Sequence, residues 1–101
     1  MKKQISIAFA DNPRTRPIHD GRVTAEGIEF LPSAVNPGEL FWRQLHFGDF
    51  DVAEMSFSTL MIAHTRGEGR FIGLPIFTTR RFFHAHILVR KDAGITKPED
   101  L

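Results

Sequence analysis

Residues 49–58 carry the residue types best suited to hold a small anion. Residues 52–55 form a short apolar run, and helix-forming residues follow Ser56 and Ser58. A buried strand that leads into a helix leaves the first backbone N–H groups of the helix free, and two hydroxyls add further donors. Open α/β sheets bind ligands at such a place, beyond the carboxyl end of a strand. The stretch predicts a small carboxylate ligand, with plain helix capping by the serines as the alternative.

A polar loop at residues 11–22 contains the side chains that could bind this carboxylate. It follows the first predicted strand, so it should lie at the same edge of the sheet as Ser56. Arginine binds a carboxylate in a bidentate manner, which makes Arg14 and Arg16 candidate ligand-binding residues, together with Asp11. The alternative is a solvated loop whose arginines and aspartates pair with one another.

Two further residue types point to proton transfer. Glu54, near the end of a strand, could act as a general acid if it is buried, or pair with a loop arginine. His84 is a candidate proton donor because imidazole titrates near neutral pH. A metal site built on His84 and His86 is a weaker alternative, since it needs a third ligand such as Glu54 or His19. We therefore expect no cofactor, with a divalent metal as the remaining option.

Strands and helices alternate along the chain. The patterns predict strands at residues 4–10, 28–31, 51–55, 71–74 and 83–90. They predict one helix that begins after Asn36 and ends before Gly48, and a second at residues 57–66. This order is typical of an α/β fold with a mainly parallel sheet and helices on both faces.

Composition restricts the class of partner. A net charge of +1 gives no field that would favour nucleic acid or an anionic membrane, and no window approaches a membrane span. The absence of cysteine excludes disulfides and thiolate metal sites. Residues 4–10 are too short and polar for a secretory segment, so we expect a cytoplasmic protein. A helix start at residues 96–101 suggests the N-terminal part of a longer protein.

Several motifs together resemble the 4,5-dihydroxyphthalate decarboxylase family. They are Asp11, Arg14 and Thr15; Asp20-Gly21-Arg22-Val23; Glu26-Gly27-Ile28; Phe50-Asp51-Val52 with Glu54-Met55-Ser56 and Ser58; Pro75-Ile76-Phe77; Arg80, Phe82 and His84; and Arg90, Asp92 and Gly94-Ile95. The resemblance implies that residues 1–101 form the N-terminal part of the first lobe of a type II periplasmic-binding-protein-like fold. In that fold the ligand lies in a cleft between two α/β lobes.

The resemblance also implies a reaction and roles. The substrate would be a small aromatic carboxylate, converted from 4,5-dihydroxyphthalate to 3,4-dihydroxybenzoate and CO₂. Arg14, Arg80, Ser56 and Ser58 would bind its carboxylates, His84 would donate a proton, and Glu54 would orient His84 or hold a substrate hydroxyl. The alternative is a solute-binding protein for a small anion, in a transporter or sensor. Homo-oligomerisation is left open, and these 101 residues alone are expected to be inactive.

Overall fold

A three-stranded parallel sheet organises the chain in a computed structural model that describes residues 1–101. Strand β1 spans Lys3–Phe9, β2 spans Ile28–Ala34 and β3 spans Val52–Ala53, in the order β2-β1-β3. The central strand contributes most of the core, because Ile7, Ala8 and Phe9 are buried. Burial of both large and small residues at this end of β1 agrees with a strand covered on both faces. The predicted α/β fold with a parallel sheet is confirmed.

The register brings the carboxyl ends of β1 and β3 to one edge. β1 pairs with β2 along its whole length, from Lys3 opposite Ile28 to Phe9 opposite Ala34. It pairs with β3 only near its end, with Ile7 opposite Val52 and Ala8 opposite Ala53. The residues that follow β1 and β3 therefore emerge side by side, as the sequence predicted.

Three helices connect or follow the strands: α1 at Arg16–His19, α2 at Pro37–Phe47 and α3 at Phe57–Thr65. The bounds of α2 follow from its predicted caps. The Asn36 side chain accepts a hydrogen bond from the Gly38 N–H at 3.0 Å, and Gly48 ends the helix in the left-handed conformation with φ +62°. Helix α2 packs against β1 and buries Leu40 completely.

The two strands predicted at residues 71–74 and 83–90 are absent, and these predictions are wrong for this structure. The second region contains a 3₁₀ turn at Phe83–His86 and no ladder, and another 3₁₀ turn forms at Pro98–Asp100. All residues from 79 to 94 are exposed. Alternating apolar residues form a strand only where a neighbouring strand and a buried face are available, and this segment has neither.

The C-terminal third leaves much apolar surface uncovered. The chain measures 63 × 35 × 22 Å and has a radius of gyration of 17.7 Å, against about 13 Å for a compact domain of this length. Its accessible surface is 8252 Å², whereas about 5,800 Å² is typical of a compact monomer of this mass. Exposed apolar residues of the segment include Ile72, Leu74, Phe77, Phe82 and Leu88. No helix has the length and apolar character needed to span a membrane.

Candidate functional site

Glu54 lies at the centre of the edge where β1 and β3 end. Its side chain is buried, with 8% of the residue exposed. One carboxylate oxygen accepts a hydrogen bond from the Ala10 N–H, and the other accepts one from the Thr78 hydroxyl. Glu54 takes part in none of the six ion pairs of the structure. The predicted pairing with a loop arginine is therefore not formed, and the carboxylate instead joins β1 to the segment around Thr78.

Arg14 reaches the same place from the loop after β1. Its Nε donates a hydrogen bond to the Thr78 carbonyl at 2.9 Å. Arg14 is exposed and forms no ion pair, so no acidic side chain competes for its guanidinium. The terminal nitrogens of this arginine remain available for an anion, which is the role the sequence predicted for it.

The loop that presents Arg14 is held by its own polar side chains. Thr15 is 3% exposed, and its hydroxyl donates to the Ala10 carbonyl at 2.6 Å. The Asn12 side chain accepts from the Arg14 N–H at 2.9 Å. Asn and Thr commonly fix turns by such local bonds, so the Asn-Pro-Arg-Thr order was the signal available for these two residues. Neither they nor Thr78 were assigned a role from sequence.

Arg16 and Asp11 form a bidentate ion pair. Two of the Arg16 nitrogens donate to the two Asp11 oxygens at 3.1 and 3.2 Å. These hydrogen bonds lower the pKa of Asp11 and raise that of Arg16. Asp20 and Arg22 form a similar pair. For these four residues the structure shows the solvated loop pairing, and among the three arginines of the loop only Arg14 keeps both terminal nitrogens unpaired.

The start of α3 offers backbone donors beside Glu54. Ser56 occupies the N-cap position but its hydroxyl makes no capping bond; it lies 3.0 Å from the Ser58 hydroxyl. The first backbone hydrogen bond of the helix runs from the Leu60 N–H to the Ser56 carbonyl. The capping alternative for Ser56 is thus not observed, and the first N–H groups of α3 remain without side-chain partners.

The remaining predicted residues, Arg80, His84 and His86, form no hydrogen bond or ion pair with Glu54. Arg80 is exposed and makes no hydrogen bond. His84 lies in the exposed 3₁₀ turn with its ring 5.6 Å from that of Phe82, and makes no hydrogen bond to Glu54. No group of three His, Asp or Glu side chains comes together in the manner a metal ion needs, so His84 and His86 gain no third ligand from Glu54 or His19.

Two curated relatives match almost all of this chain. A 4,5-dihydroxyphthalate decarboxylase of Comamonas testosteroni is 36% identical over 100 residues, which are 99% of this chain and 30% of the relative. One of Pseudomonas putida is 34% identical over 100 residues, 99% of this chain and 39% of the relative. The chain thus spans about a third of the length of these relatives. No family model matches it. The resemblance read from the motifs is confirmed by these matches.

Proposed function

We propose that the protein containing this chain decarboxylates a dihydroxylated aromatic acid, converting 4,5-dihydroxyphthalate to 3,4-dihydroxybenzoate and CO₂. The main support for this proposal is that nearly the whole chain is similar to two proteins named 4,5-dihydroxyphthalate decarboxylase. The arrangement of Arg14, Thr78 and Glu54 beside the start of α3 supports it, because it leaves donors free for a carboxylate at one edge of the sheet.

The proposal includes a fold and a location. Residues 1–101 would form part of the first lobe of a type II periplasmic-binding-protein-like protein, with the substrate between two lobes. The parallel order β2-β1-β3, with the ligand-binding residues at the carboxyl ends, agrees with such a lobe. A cytoplasmic location and any self-association belong to the proposal as well.

The reaction needs a proton and an electron-rich ring. The substrate ring carbon that bears the departing carboxylate takes up a proton, helped by the hydroxyl para to it. The bond to the carboxylate then breaks, its electron pair returns to the ring, and CO₂ leaves. The protein must anchor the second carboxylate, place an acid near the protonated carbon and keep water from the departing group.

Arg14 is the best-placed anchor for a substrate carboxylate. Its Nε is engaged by the Thr78 carbonyl, which leaves its terminal nitrogens to bind an anion. The free N–H groups of α3 and the hydroxyls of Ser56 and Ser58 supply further donors. Arg80, two residues beyond Thr78, is proposed as a second arginine for the same carboxylates. A hydrogen bond to a charged group contributes roughly 1.5–3 kcal/mol.

His84 is proposed as the proton donor. It is exposed in the 3₁₀ turn, so the role requires this turn to approach the edge of the sheet when substrate is bound. Glu54 uses one acceptor position on each oxygen for Ala10 and Thr78, and a carboxylate has further acceptor positions for a substrate hydroxyl. Asp11 and Arg16 are already paired, and their proposed part in substrate binding is indirect.

The complete gene product should release CO₂ when incubated with 4,5-dihydroxyphthalate. Phthalate, which has both carboxylates but no hydroxyls, is the matched control: it should bind but not react. A His84→Ala variant should bind the substrate and lose turnover. Wild-type kinetics in this variant would exclude His84 as the proton donor.

Two other outcomes would change the proposal. Tight binding of the substrate without any turnover would indicate a solute-binding protein for a small anion and overturn the decarboxylase function. Stoichiometric metal in the active protein, measured by elemental analysis, would bring back the divalent metal as cofactor.

A further inference from the structure

Thr78 connects Arg14 and Glu54, two residues of the proposed site at the edge of the sheet. Its hydroxyl donates to Glu54, and its carbonyl accepts from Arg14 Nε at 2.9 Å. These contacts join residues that are 24 and 64 positions apart in the chain. One residue therefore links the end of β3 to the loop after β1.

Glu54 provides a fixed anchor for this link. It is buried, its own N–H donates to the Ala8 carbonyl at 3.0 Å, and its side chain holds the Ala10 N–H. The first bond ties Glu54 to the central strand β1, and the second ties it to the residue that directly follows this strand. The Thr78 hydroxyl is thus attached to a residue that is hydrogen-bonded to the central strand of the sheet, whereas the residues that follow Thr78 form no ladder of their own.

The orientation of Arg14 depends on this anchor. A guanidinium has five N–H donors in one plane, and a bond at Nε fixes the direction in which the two terminal nitrogens point. The Thr78 carbonyl supplies that bond, and the Thr78 hydroxyl holds the carbonyl in place. Without the hydroxyl, the arginine would sample other rotamers and bind a carboxylate with a larger entropic cost.

We propose that Thr78 is a positioning residue for the carboxylate-binding site: its hydroxyl bond to Glu54 holds its carbonyl where it aims Arg14 at the bound acid. This inference rests on the proposed function for the identity of the acid. It assigns to Glu54 the task of anchoring Thr78, in addition to any contact with substrate.

The chain offers a matched set of variants. Thr78→Val keeps the shape of the side chain and removes the hydroxyl, which leaves one Glu54 oxygen without its donor. Thr78→Ser keeps the hydroxyl and removes a methyl group. Thr79→Val is the control, because Thr79 is exposed and its side chain makes no hydrogen bond.

The first measurement is the affinity of the complete gene product for phthalate by calorimetry, which needs no turnover. Thr78→Val should raise Kd about 10-fold, the factor that corresponds to a hydrogen bond at a charged acceptor. Thr78→Ser and Thr79→Val should remain close to the wild type. An unchanged Kd in Thr78→Val, or an equal loss in Thr78→Ser, would overturn the proposal.

A second measurement separates positioning from a general loss of structure. In an Arg14→Ala background, Thr78→Val should weaken phthalate binding no further, because no arginine remains to be aimed. An additional loss of similar size would show that Thr78 supports only the fold, and would overturn the positioning role. With 4,5-dihydroxyphthalate, Thr78→Val should raise KM by the same factor and change kcat less.

The contact itself is tested by a double-mutant cycle on denaturant unfolding with Glu54→Ala and Thr78→Val. The unfolding constant of the double variant should be about 10-fold smaller than additivity predicts. Additive effects would contradict the Glu54–Thr78 bond and with it the proposal.

The two proposals can fail separately. If the wild-type protein shows no turnover while phthalate binding and the double-mutant cycle give the expected results, the decarboxylase function fails. The positioning role of Thr78 is then retained for an anion-binding site.

Discussion

Asp51 and Ser6 form reciprocal hydrogen bonds where β3 approaches β1. The Asp51 carboxylate accepts hydrogen bonds from the Ser6 N–H at 2.8 Å and from the Ser6 hydroxyl at 2.9 Å. In return the Asp51 N–H donates to the Ser6 hydroxyl oxygen at 2.9 Å. Because β3 has only two residues, these bonds extend its attachment to the central strand. They place the end of β3, and therefore Glu54, level with the end of β1.

Asp51→Asn should lower the thermal unfolding midpoint at neutral pH by a few degrees. The Ser6 N–H, followed by its hydroxyl, lowers the pKa of Asp51 below the usual 3.8. The stabilisation by the charge is therefore complete above pH 3.8 and is lost as the pH falls through the lower pKa of the folded state. Midpoints measured from pH 2 to 7 should converge at the acid end. Asp92→Asn, at an exposed residue that pairs only with Arg90, is the control.

Arg14→Gln and Arg16→Gln should differ in their effect on anion binding. Arg14 has no acidic partner, whereas Arg16 is engaged by both oxygens of Asp11. We expect Arg14→Gln to raise the Kd for phthalate about 10- to 100-fold, the value of a charge-assisted bond. Arg16→Gln should change it by less than about threefold. Equal losses in calorimetry would assign ligand binding to both arginines.

Leu40→Ala should strongly destabilise the sheet. Leu40 is fully buried where α2 packs on β1, and truncation of a buried leucine typically costs about 2–5 kcal/mol. Leu74→Ala, at a residue that is 62% exposed, should change the free energy of unfolding by less than about 0.5 kcal/mol. Urea denaturation of both variants measures the difference. Similar values would mean that Leu74 is covered in solution.

The ionised side chain of Glu68 should stabilise the fold only at pH values above about 2. Hydrogen bonds from Arg70 lower the pKa of Glu68 to about 2, and Arg70 also donates to the Leu45 carbonyl at the end of α2. A lowered pKa in the folded state gives stability that is complete above about 4.5 and is lost as the pH falls toward 2. The difference in thermal midpoint between wild type and Glu68→Gln should shrink over this range. Glu26→Gln, whose side chain makes no hydrogen bond, should show no such trend.

The apolar C-terminal segment should bind a hydrophobic dye when the 101 residues are expressed alone. Phe82, Ile87 and Leu88 are exposed and contribute no core contact. Replacing them together by Ser, Thr and Ser should lower the fluorescence of bound anilinonaphthalene sulfonate and leave the unfolding midpoint unchanged. A midpoint that falls as far as in Leu40→Ala would show that these side chains are packed.

Local signals were sufficient for most elements of the first two-thirds of the chain; the exception is the short helix α1 at Arg16–His19, which forms within residues predicted as a loop. The bounds of α2 follow from Asn36, Pro37 and Gly48, whose preferences act over one turn of helix. β1 was predicted because its apolar residues alternate with small ones. The segment at 83–90 has an equally strong alternation and still forms no strand, because pairing depends on a partner elsewhere in the chain.

By itself the sequence determined that residue types suited to bind a carboxylate follow two predicted strands, since apolar patterns and helix starts act over a few residues. Only the tertiary structure decided which of them act together. Arg16 and Asp11 neutralise each other within five residues, whereas Arg14 meets the Thr78 carbonyl across 64 residues and Thr78 meets Glu54 across 24. Such contacts depend on the path of the whole chain, and no pattern within a single segment specifies them. For this reason no sequence pattern assigned a role to Thr78, although its hydrogen bonds connect Arg14 and Glu54 in the folded protein.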